Sequence, residues 1–283
     1  MNDRPWAYSA FRVRVRAVRQ LSPGFVRVTL AGESLRHFAP WGVDQRIKLV
    51  LPLPGGGTAD FGLLDEPTPH PSHWYARWRA LPAADRNVLR TYTPAAIRAD
   101  AGEIDVDFVV HQPPGPASTW ALTARPGDEL VVTGPDVRAG YTGYGICWTP
   151  GDARDVLVVG DETAFPAIRN ILADLHGDVR ATVLVETADP ADDLVSGAAR
   201  DRHTVHPVRR ATVHGHAVEA AVRAWADREA DAARRLGTGF YAWLAGESGS
   251  VTRIRQHLTR DRGIDKERVS FLGYWKLGSA LVP

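Results

Sequence analysis

Residues 155–160 read Asp155-Val-Leu-Val-Val-Gly160, a short apolar strand that follows the turn residues Pro150 and Gly151. A helical pattern from about 164 to 176 comes next, and a second apolar strand, Ala181-Thr-Val-Leu-Val-Glu186, follows it. Strands of near-continuous valine and leucine that are joined by a helix are typical of a parallel sheet covered on both faces. This stretch therefore predicts a parallel α/β domain.

The alternation of strands and helices continues toward the C-terminus. The sequence predicts a strand near 204–208, an amphipathic helix from about 217 to 236, a strand at 240–245, a helix at 250–262 and a last strand at 269–273. The predicted parallel α/β sandwich occupies residues 151–283.

The residues before 150 have a different texture. Short alternating or β-branched segments lie at 11–18, 25–30, 46–51, 104–110 and 129–133. Short strands separated by turn residues are typical of an antiparallel barrel or sandwich. Residues 52–85 are rich in glycine and proline, so we expect an excursion with a helical turn or two at 73–81. The predicted β domain occupies residues 1–150.

Composition limits the function classes that are open to this chain. Its 283 residues carry 34 basic and 33 acidic side chains, and a formal net charge of +1 provides no field that would recruit nucleic acid or an anionic membrane. Cys147 is the single cysteine, which excludes an intrachain disulfide and a four-cysteine iron–sulfur cluster. The histidines lack cysteine or acidic partners at ligand spacing, so no metal site is predicted. Without a signal-peptide pattern or a membrane-length apolar run, we expect a soluble cytoplasmic monomer.

The strongest chemical signal of the β domain is Arg90-Thr91-Tyr92-Thr93. Side chains alternate along an extended segment, so an arginine, an aromatic ring and a hydroxyl can grip a phosphate, cover a flat ring and hydrogen-bond to its edge. A flavin needs these three contacts. Taken alone, the four residues are equally consistent with a surface strand edge.

A second segment, His111-Gln-Pro-Pro-Gly-Pro-Ala-Ser118, follows further along the chain. Gly115, Ala117 and Ser118 provide small side chains and backbone N–H groups where a short helix begins, with Ser118 as its predicted N-cap. Oriented amides and the helix dipole favour a pyrophosphate there. The two segments together predict an FAD site, with His111 either a core histidine at a strand end or a cofactor ligand.

The first helix of the α/β domain opens with Gly160-Asp-Glu-Thr-Ala-Phe-Pro166, which is not the glycine-rich dinucleotide fingerprint. It nevertheless follows the first strand, where a crevice at the carboxyl end of the sheet receives a ligand. Thr163, Ala164 and Pro166 are therefore predicted to bring the nicotinamide end of a dinucleotide near the flavin, and Asp161 is also predicted to bind the cofactor.

The end of the second α/β strand carries Glu186, which is predicted to accept ribose hydroxyls and to repel a 2′-phosphate. This carboxylate favours NADH over NADPH as the electron donor. Arg209 and Arg210 leave the alternative open, because two guanidinium groups could bind the extra phosphate of NADPH.

In their order along the chain, these motifs resemble those of the siderophore-interacting protein family, FAD-dependent ferric-siderophore reductases within the ferredoxin–NADP reductase superfamily. The resemblance spans essentially the whole chain and rests on Arg90-Thr-Tyr-Thr93, His111 with Gly115-Pro-Ala-Ser118 and Trp120-Ala121, Gly160-Asp-Glu-Thr-Ala-Phe-Pro-Ala-Ile168, Trp243-Leu-Ala-Gly-Glu247, and Gly273-Tyr-Trp-Lys276. It implies an FAD-binding antiparallel β-barrel, followed by an NAD(P)H-binding α/β domain whose C-terminal segment returns to the flavin.

The resemblance also implies roles for single residues. Arg90 would bind the flavin-side phosphate, Tyr92 would pack on the isoalloxazine ring, and Thr93 would hydrogen-bond near N5, where hydride arrives. Thr91 is expected to contact the cofactor with them. Trp275 is either a cover for the flavin or a contact between the barrel and the α/β domain.

Lysine is rare in this chain, and Lys48 and Lys276 both lie in family-like segments. Lys48 is predicted to point opposite its apolar neighbours on a strand, and Lys276 follows Trp275. Ferric siderophores are frequently anionic, so cations beside the flavin would hold them by charge. The alternative is that both are solvated surface lysines.

The implied function is reduction of ferric siderophores: NAD(P)H delivers a hydride to FAD, and single electrons then pass to Fe(III) in the docked siderophore. Iron leaves because hard oxygen donors bind Fe(II) less well than Fe(III). Thr93 and Lys276 are the residues expected nearest to this chemistry. Three alternatives stay open: a reductase of a protein electron carrier, a non-catalytic siderophore-binding protein and a generic flavin reductase.

Overall fold

The computed structural model describes residues 6–278. Contacts between residues divide the chain into two units, 1–146 and 147–283, whereas the sequence predicts a boundary between residues 150 and 151. The first unit contains an antiparallel sheet, and the second contains a parallel sheet covered by helices. The predicted fold class is confirmed.

The first unit has seven strands and two α-helices among its described residues. The strands are β1 (Tyr8–Ser22), β2 (Phe25–Ala31), β3 (Ile47–Val50), β4 (Leu89–Tyr92), β5 (Pro94–Arg98), β6 (Glu103–Val109) and β7 (Glu129–Pro135), and the helices are α1 (Pro71–Ala80) and α2 (Pro116–Thr123). The strands form one antiparallel sheet in the order β4-β3-β7-β1-β2-β6-β5. Most of them match predicted segments, but β5 was not predicted because Pro94-Ala-Ala-Ile-Arg98 has no clear alternation of apolar and polar residues.

The two edges of this sheet are consecutive strands of the chain. β4 ends at Tyr92 and β5 begins at Pro94, so Thr93 alone joins them across the whole width of the sheet. One residue spans at most about 3.6 Å. The sheet must therefore curl until its edges meet, which makes it barrel-like and puts the buried Thr93 at its seam.

Alternation along the strands sends one set of side chains into the barrel. Phe11, Val28, Leu49, Val106 and Val132, from five different strands, belong to one buried cluster and are each at most 1% exposed. Burial of each such side chain stabilises the fold by about 1.5–3 kcal/mol. This core holds the strands in register.

The segment between β3 and β4 packs more firmly than the sequence predicts. α1 runs over Pro71–Ala80, and its Trp74 and Trp78 join a second apolar cluster with Val50 on the outer face of the sheet. Asn87 is 1% exposed and donates from Nδ2 to the carbonyl oxygens of residues 51 and 57. This amide anchors the glycine-rich loop to the barrel.

The second unit has five strands and three α-helices among its described residues. The strands are β8 (Asp155–Asp161), β9 (Arg180–Thr187), β10 (His203–Arg209), β11 (Phe240–Glu247) and β12 (Val269–Trp275), and the helices are α3 (Phe165–Asp174), α4 (His216–Leu236) and α5 (Ser248–Gln256). All neighbouring strands are parallel, in the order β10-β9-β8-β11-β12.

This strand order creates a switch point. After β8 the chain builds β9 and β10 on one side, and it then crosses to build β11 and β12 on the other. In open α/β sheets, ligands bind beyond the carboxyl ends of the strands at such a point. The crevice between β8 and β11 is therefore where a ligand is expected.

Helix α4 covers one face of this sheet with a buried stripe that includes Val218, Val222 and Trp225. The predicted helix at 250–262 is interrupted: α5 ends at Gln256, and a single π-helical turn, His257–Asp261, continues from it. The sequence does not predict this turn, because the spacing of apolar residues does not reveal the one extra residue that a π-turn contains.

Candidate functional site

The side chains of Arg90 and Tyr92 point to the same face of β4. Their partners on β3 are Leu49 and Ile47, which belong to the barrel core. Tyr92 is half-buried, its ring lies 4.7 Å from that of Phe108 between centroids, and burial raises the pKa of its hydroxyl. Strand alternation thus brings a guanidinium and an aromatic ring together as the sequence predicts.

The Arg90 guanidinium is half-buried and donates from one nitrogen to the carbonyl oxygen of Leu89 at 2.8 Å. Within residues 6–278 no carboxylate lies within ion-pair distance of it. Many other arginines of this unit are paired, such as Arg27 with Asp107. Arg90 therefore keeps donors for an anion.

The start of α2 is open. Gly115 is its N-cap, no side chain caps the first turn, and that turn contains no acidic residue. A Cβ at Gly115 would meet no atom within 4 Å. Ser118 is not the N-cap, a correction to the prediction: it is buried in the first turn and donates its hydroxyl to the carbonyl oxygen of Val109 at 2.8 Å. The first backbone N–H groups of α2 are thus left for a ligand.

Aromatic packing joins the strand motif to this helix. Phe108 on β6 contacts Tyr92 on one side and Trp120 of α2 on the other, with centroids 5.6 Å apart for the second pair. Ala117, in the first turn of α2, is also part of the barrel core. Packing through Phe108 therefore connects the helix with the open start to the strand that carries Arg90.

Thr91 lies on the opposite face of β4, where its Oγ1 accepts a hydrogen bond from Lys48 Nζ at 3.3 Å. This hydroxyl does not lie with Arg90 and Tyr92, so a side-chain contact to the same cofactor has no support here. Lys48 does point opposite its apolar neighbours, as expected, and burial beside Arg46 lowers its pKa to about 8.

Thr93 and His111 have contrasting surroundings. Thr93 is 5% exposed at the seam between β4 and β5. His111 is exposed just after β6, so the reading of it as a core histidine is wrong and that of a cofactor ligand stays a prediction.

The residues of this region fit the FAD that the sequence implies. An unpaired guanidinium and the N–H groups of an uncapped helix start can both donate hydrogen bonds to phosphate oxygens. Gly115 leaves open space where any other side chain would protrude. Tyr92 offers a ring face on the same side of the strand.

In the second unit, Asp161 ends β8 and is 6% exposed. Its Oδ1 accepts from Thr163 N at 3.0 Å and from the Thr163 hydroxyl, and its Oδ2 accepts from Glu247 N at 2.9 Å and Trp275 Nε1 at 2.8 Å. Four bonds use both oxygens fully. Asp161 thus ties together the carboxyl ends of β8, β11 and β12. Ala164, which follows Thr163, is fully buried. Its side chain therefore does not face a ligand, and the predicted contact of this side chain with a dinucleotide does not fit the structure.

Glu186 is the penultimate residue of β9 and is completely buried. Its oxygens accept from the backbone N–H groups of Gly215 and Val218, at 2.8 and 3.1 Å, and from Arg210 Nε at 2.9 Å. The prediction that Glu186 accepts ribose hydroxyls therefore does not fit this structure. Arg210 also pairs with Glu162, so the alternative that it binds a phosphate does not fit either.

Trp275 is half-buried at the end of β12, where His214 contacts its ring edge-on, with centroids 4.9 Å apart at 82°. Burial and the nearby Arg210 lower the pKa of His214. Lys276 follows and is exposed. Its role toward substrate stays a prediction, and the end of the C-terminal segment, 279–283, lies outside the described residues.

Glu162 and Glu247 are site residues whose roles sequence reasoning missed. Glu162 is 7% exposed and accepts from Ala188 N at 2.8 Å, and Glu247 is 9% exposed and accepts from Ser250 N at 2.7 Å. No local signal marks Glu247 as a cap, because glutamate is not among the preferred helix N-cap residues. None marks Glu162 either, because its partners are distant in sequence.

Residues 6–278 contain neither a candidate membrane-spanning helix nor a candidate metal site. No helix there combines the length and the apolar character needed to cross a membrane. No three histidine, cysteine or acidic side chains converge there in a way that could hold a metal ion.

Comparison with known proteins gives consistent matches along the chain. The siderophore-interacting FAD-binding domain family matches residues 14–139, and the siderophore-interacting protein family matches residues 153–278. An uncharacterized protein of Mycobacterium tuberculosis is 32% identical over 278 residues, which is 93% of this chain and 88% of that protein. The ferric vibriobactin reductase ViuB of Vibrio cholerae is 26% identical over 270 residues, with 92% and 87% covered.

The mycobactin import ATP-binding/permease protein IrtA of Mycolicibacterium smegmatis is 31% identical over 222 residues, 77% of this chain. This chain matches only 24% of the length of IrtA. Among solved structures, a siderophore utilization protein from T. fusca has a TM-score of 0.74 at 25% identity, covering 99% of this chain and 97% of that one. A ferredoxin NADP+ reductase from Neisseria gonorrhoeae, at 13% identity and a TM-score of 0.62 over 94% of this chain and 99% of that one, shares the fold.

Two adjoining family matches, a relative of 32% identity over nearly the whole chain and a barrel that fits FAD agree with one another. The chain belongs to the siderophore-interacting protein family and is an FAD-binding protein with a ferredoxin reductase-like fold.

Proposed function

We propose that this protein is an NADH-dependent reductase of ferric siderophores, which releases iron as Fe(II) inside the cell. The observation that carries the proposal is an unpaired guanidinium and an aromatic ring on one face of β4, packed beside an uncapped helix start. The similarity to a ferric vibriobactin reductase supports the choice of substrate class.

Bound FAD would take two electrons from the donor and pass them on one at a time, as the reduction of Fe(III) requires. The chain provides binding and orientation. Arg90 and the α2 start would hold the two phosphates, and Tyr92 would cover one ring face. Thr93, buried at the seam of the barrel, would present its hydroxyl to the ring edge near N5.

Cations would attract the substrate. Lys48 and Lys276 are the candidates, because a ferric siderophore is frequently anionic and an attraction between unlike charges strengthens in partly buried surroundings. Lys48 is half-buried and has no carboxylate within ion-pair distance in the described part of the chain. No general acid or base is required, because the iron is released when Fe(II) no longer matches its hard oxygen donors.

NADH is the expected donor. Asp161, Glu162, Glu186 and Glu247 all lie buried at the carboxyl end of the α/β sheet, where a nicotinamide dinucleotide would approach. Carboxylates there disfavour the additional phosphate of NADPH.

The test is an anaerobic titration of the purified, FAD-loaded protein with NADH and separately with NADPH, followed by addition of a ferric hydroxamate or a ferric catecholate together with a ferrous trap. We expect the flavin absorbance to bleach with NADH and to return as the ferrous complex forms. Flavin that neither nucleotide bleaches would contradict the proposal and would favour a siderophore-binding protein. Flavin that bleaches but returns only with a ferredoxin or flavodoxin would favour a reductase of a protein carrier.

A further inference from the structure

Three helical segments begin at the carboxyl end of the parallel sheet, and at each beginning an acidic side chain of the chain itself accepts from backbone N–H groups. Asp161 accepts from Thr163 N at the turn that leads into α3. Glu186 accepts from Gly215 N and Val218 N at the start of α4. The third cap, at the start of α5, is described next.

Glu247 ends β11, and its Oε2 accepts from Ser250 N at 2.7 Å. Its Oε1 accepts from Leu277 N at 3.3 Å. Burial raises the pKa of Glu247, but its backbone hydrogen bonds outweigh burial and hold the pKa below its usual range, so the cap is an anion at neutral pH.

Backbone N–H groups at helix starts are the groups that hold a dinucleotide pyrophosphate in many α/β proteins. At these three starts an acidic oxygen already accepts one or more of those N–H groups. A phosphate would have to displace a carboxylate or lie beside it, and two anions at such a short distance repel each other in partly buried surroundings.

The crevice at the switch point is also bridged. Asp161 Oδ2 accepts from Glu247 N across the gap between β8 and β11, and Trp275 Nε1 donates to the same oxygen. A Cβ at Gly246 would lie 2.6 Å from that oxygen, so the two strand ends meet closely.

The guanidinium nearest the capping carboxylates is already paired. Arg210 is half-buried and is shared by Glu162 and Glu186, whereas the other cations at this edge, Arg209 and Lys276, are exposed to solvent. Arg253 lies near Glu247 but pairs with Glu219. Neither Arg210 nor Arg253 keeps an uncommitted charge for a phosphate.

We propose that the three capping carboxylates, Asp161, Glu186 and Glu247, are specificity-determining residues that keep dinucleotide phosphates away from this edge, so that the nicotinamide donor binds weakly and exchanges freely. This inference rests on the proposed function for its ligand, a nicotinamide dinucleotide that approaches the α/β unit. The donor is then held mainly by its nicotinamide and ribose portions. NADP⁺ is excluded more strongly than NAD⁺, because it carries one phosphate more.

The experiment measures binding of oxidised nucleotides, which cannot transfer hydride. The FAD-loaded protein is titrated calorimetrically at low salt with NAD⁺ and NADP⁺, as wild type and as Glu247→Gln. Glutamine keeps one oxygen to accept from Ser250 N, and its NH₂ then faces Leu277 N, the more distant of the two donors at 3.3 Å, so the variant removes the charge at little cost in packing. We expect Glu247→Gln to bind NADP⁺ about fivefold more tightly than wild type, with a smaller gain for NAD⁺.

Glu229→Gln is the matched control. Glu229 is exposed on α4 and acts on Arg180, the first residue of β9, so it lies toward the opposite end of the sheet. This control should leave both affinities unchanged. Glu162→Gln is a second test variant, used if Glu247→Gln lowers the melting temperature, because it removes a different carboxylate of the same edge.

Tight binding of NADP⁺ by wild type, no gain in the edge variants, or an equal gain in Glu229→Gln would overturn the inference. Its failure is separable from that of the proposed function. Flavin that NADH bleaches normally, together with unchanged affinities in Glu247→Gln and Glu162→Gln, rejects the inference alone. Flavin that NADH cannot bleach, together with tighter nucleotide binding in the variants, rejects the donor assignment alone.

Discussion

The helix starts of the two units contrast sharply. In the barrel unit, α2 begins at Gly115 with no capping side chain and no acidic residue in its first turn. In the α/β unit, Asp161, Glu186 and Glu247 occupy the backbone N–H groups at three successive starts. One unit leaves its amides for an anion, and the other uses them internally. Under the proposed function, a cofactor that stays bound and a donor that leaves would place these opposite demands on the same structural element.

The largest expected effect comes from closing the open start. Gly115 has extended backbone angles that any residue adopts, and a Cβ there meets nothing. Gly115→Asp should weaken FAD binding about a hundredfold, because its carboxylate takes the amides and repels the pyrophosphate. Cofactor-free protein should melt at the same or a higher temperature, because a helix gains an N-cap. Flavin fluorescence titration measures the affinity.

Gly115→Asn is the control for this change, because it adds a cap of the same size without charge. It should lose far less affinity than Gly115→Asp. Equal FAD affinity in the two variants would show that charge at the α2 start is irrelevant and would break the contrast between the units.

The second largest effect is expected when the charge of Arg90, the cation near the open start of α2, is removed. Arg90→Gln should weaken FAD binding about thirtyfold, since a charge-assisted contact to a phosphate contributes about 2 kcal/mol. Arg79→Gln is a matched loss of charge, because Arg79 lies on the exposed face of α1 over the ring of Tyr75. Equal losses in both variants, measured by the same titration, would contradict a specific role for Arg90.

The third effect removes a cap from the closed side. Asp161→Asn puts an amide NH₂ against backbone or indole N–H donors whichever way the amide is turned. A buried donor without an acceptor costs about 2 kcal/mol, so the urea midpoint should fall and the tryptophan emission should change as Trp275 loses its bond. Asp178→Asn, an exposed partner of Arg154, should change stability by no more than about 0.5 kcal/mol. Similar losses of stability in both variants would contradict the role of Asp161 in holding the ends of β8, β11 and β12 together.

The smallest effect depends on pH. Burial lowers the pKa of Lys48 to about 8, so its ammonium is charged below that pH and neutral above it. Affinity for an anionic ferric chelate, taken from KM, should therefore fall about fivefold as the pH rises from about 7 to 9. Lys48→Arg should abolish this step, because a guanidinium stays protonated. If the fall in affinity between pH 7 and 9 persists in Lys48→Arg, another group is responsible for it.

The strands and helices of the α/β unit were largely predictable, because apolar runs such as residues 155–160 leave few other structures open. The pair Arg90 and Tyr92 was predictable for the same kind of reason, since alternation along a strand is a local rule. α1 was underestimated because its buried Trp74 and Trp78 give only a weak period in a polar segment.

What could not be predicted depends on partners far apart in the chain. Glu186 accepts from Gly215, the N-cap of α4, which lies 29 residues later, and Asp161 accepts from Trp275 across 114 residues. No sequence window contains both members of either pair. The sequence shows that Glu186 lies near a strand end, which favours a ribose ligand. It does not show that the backbone N–H groups of Gly215 and Val218 occupy the same carboxylate oxygens, so the prediction of a ribose ligand does not fit the structure.

The single-residue junction at Thr93 has a thermodynamic consequence. Because β4 and β5 are the two edges of one sheet, opening the barrel anywhere along its seam displaces β4, the strand that carries Arg90 and Tyr92. A ligand held by these residues opposes that opening and stabilises the native unit by mass action. With FAD held by Arg90 and Tyr92 as proposed, melting of the barrel and release of its cofactor would be coupled, and the melting temperature of this unit would rise with the concentration of free FAD.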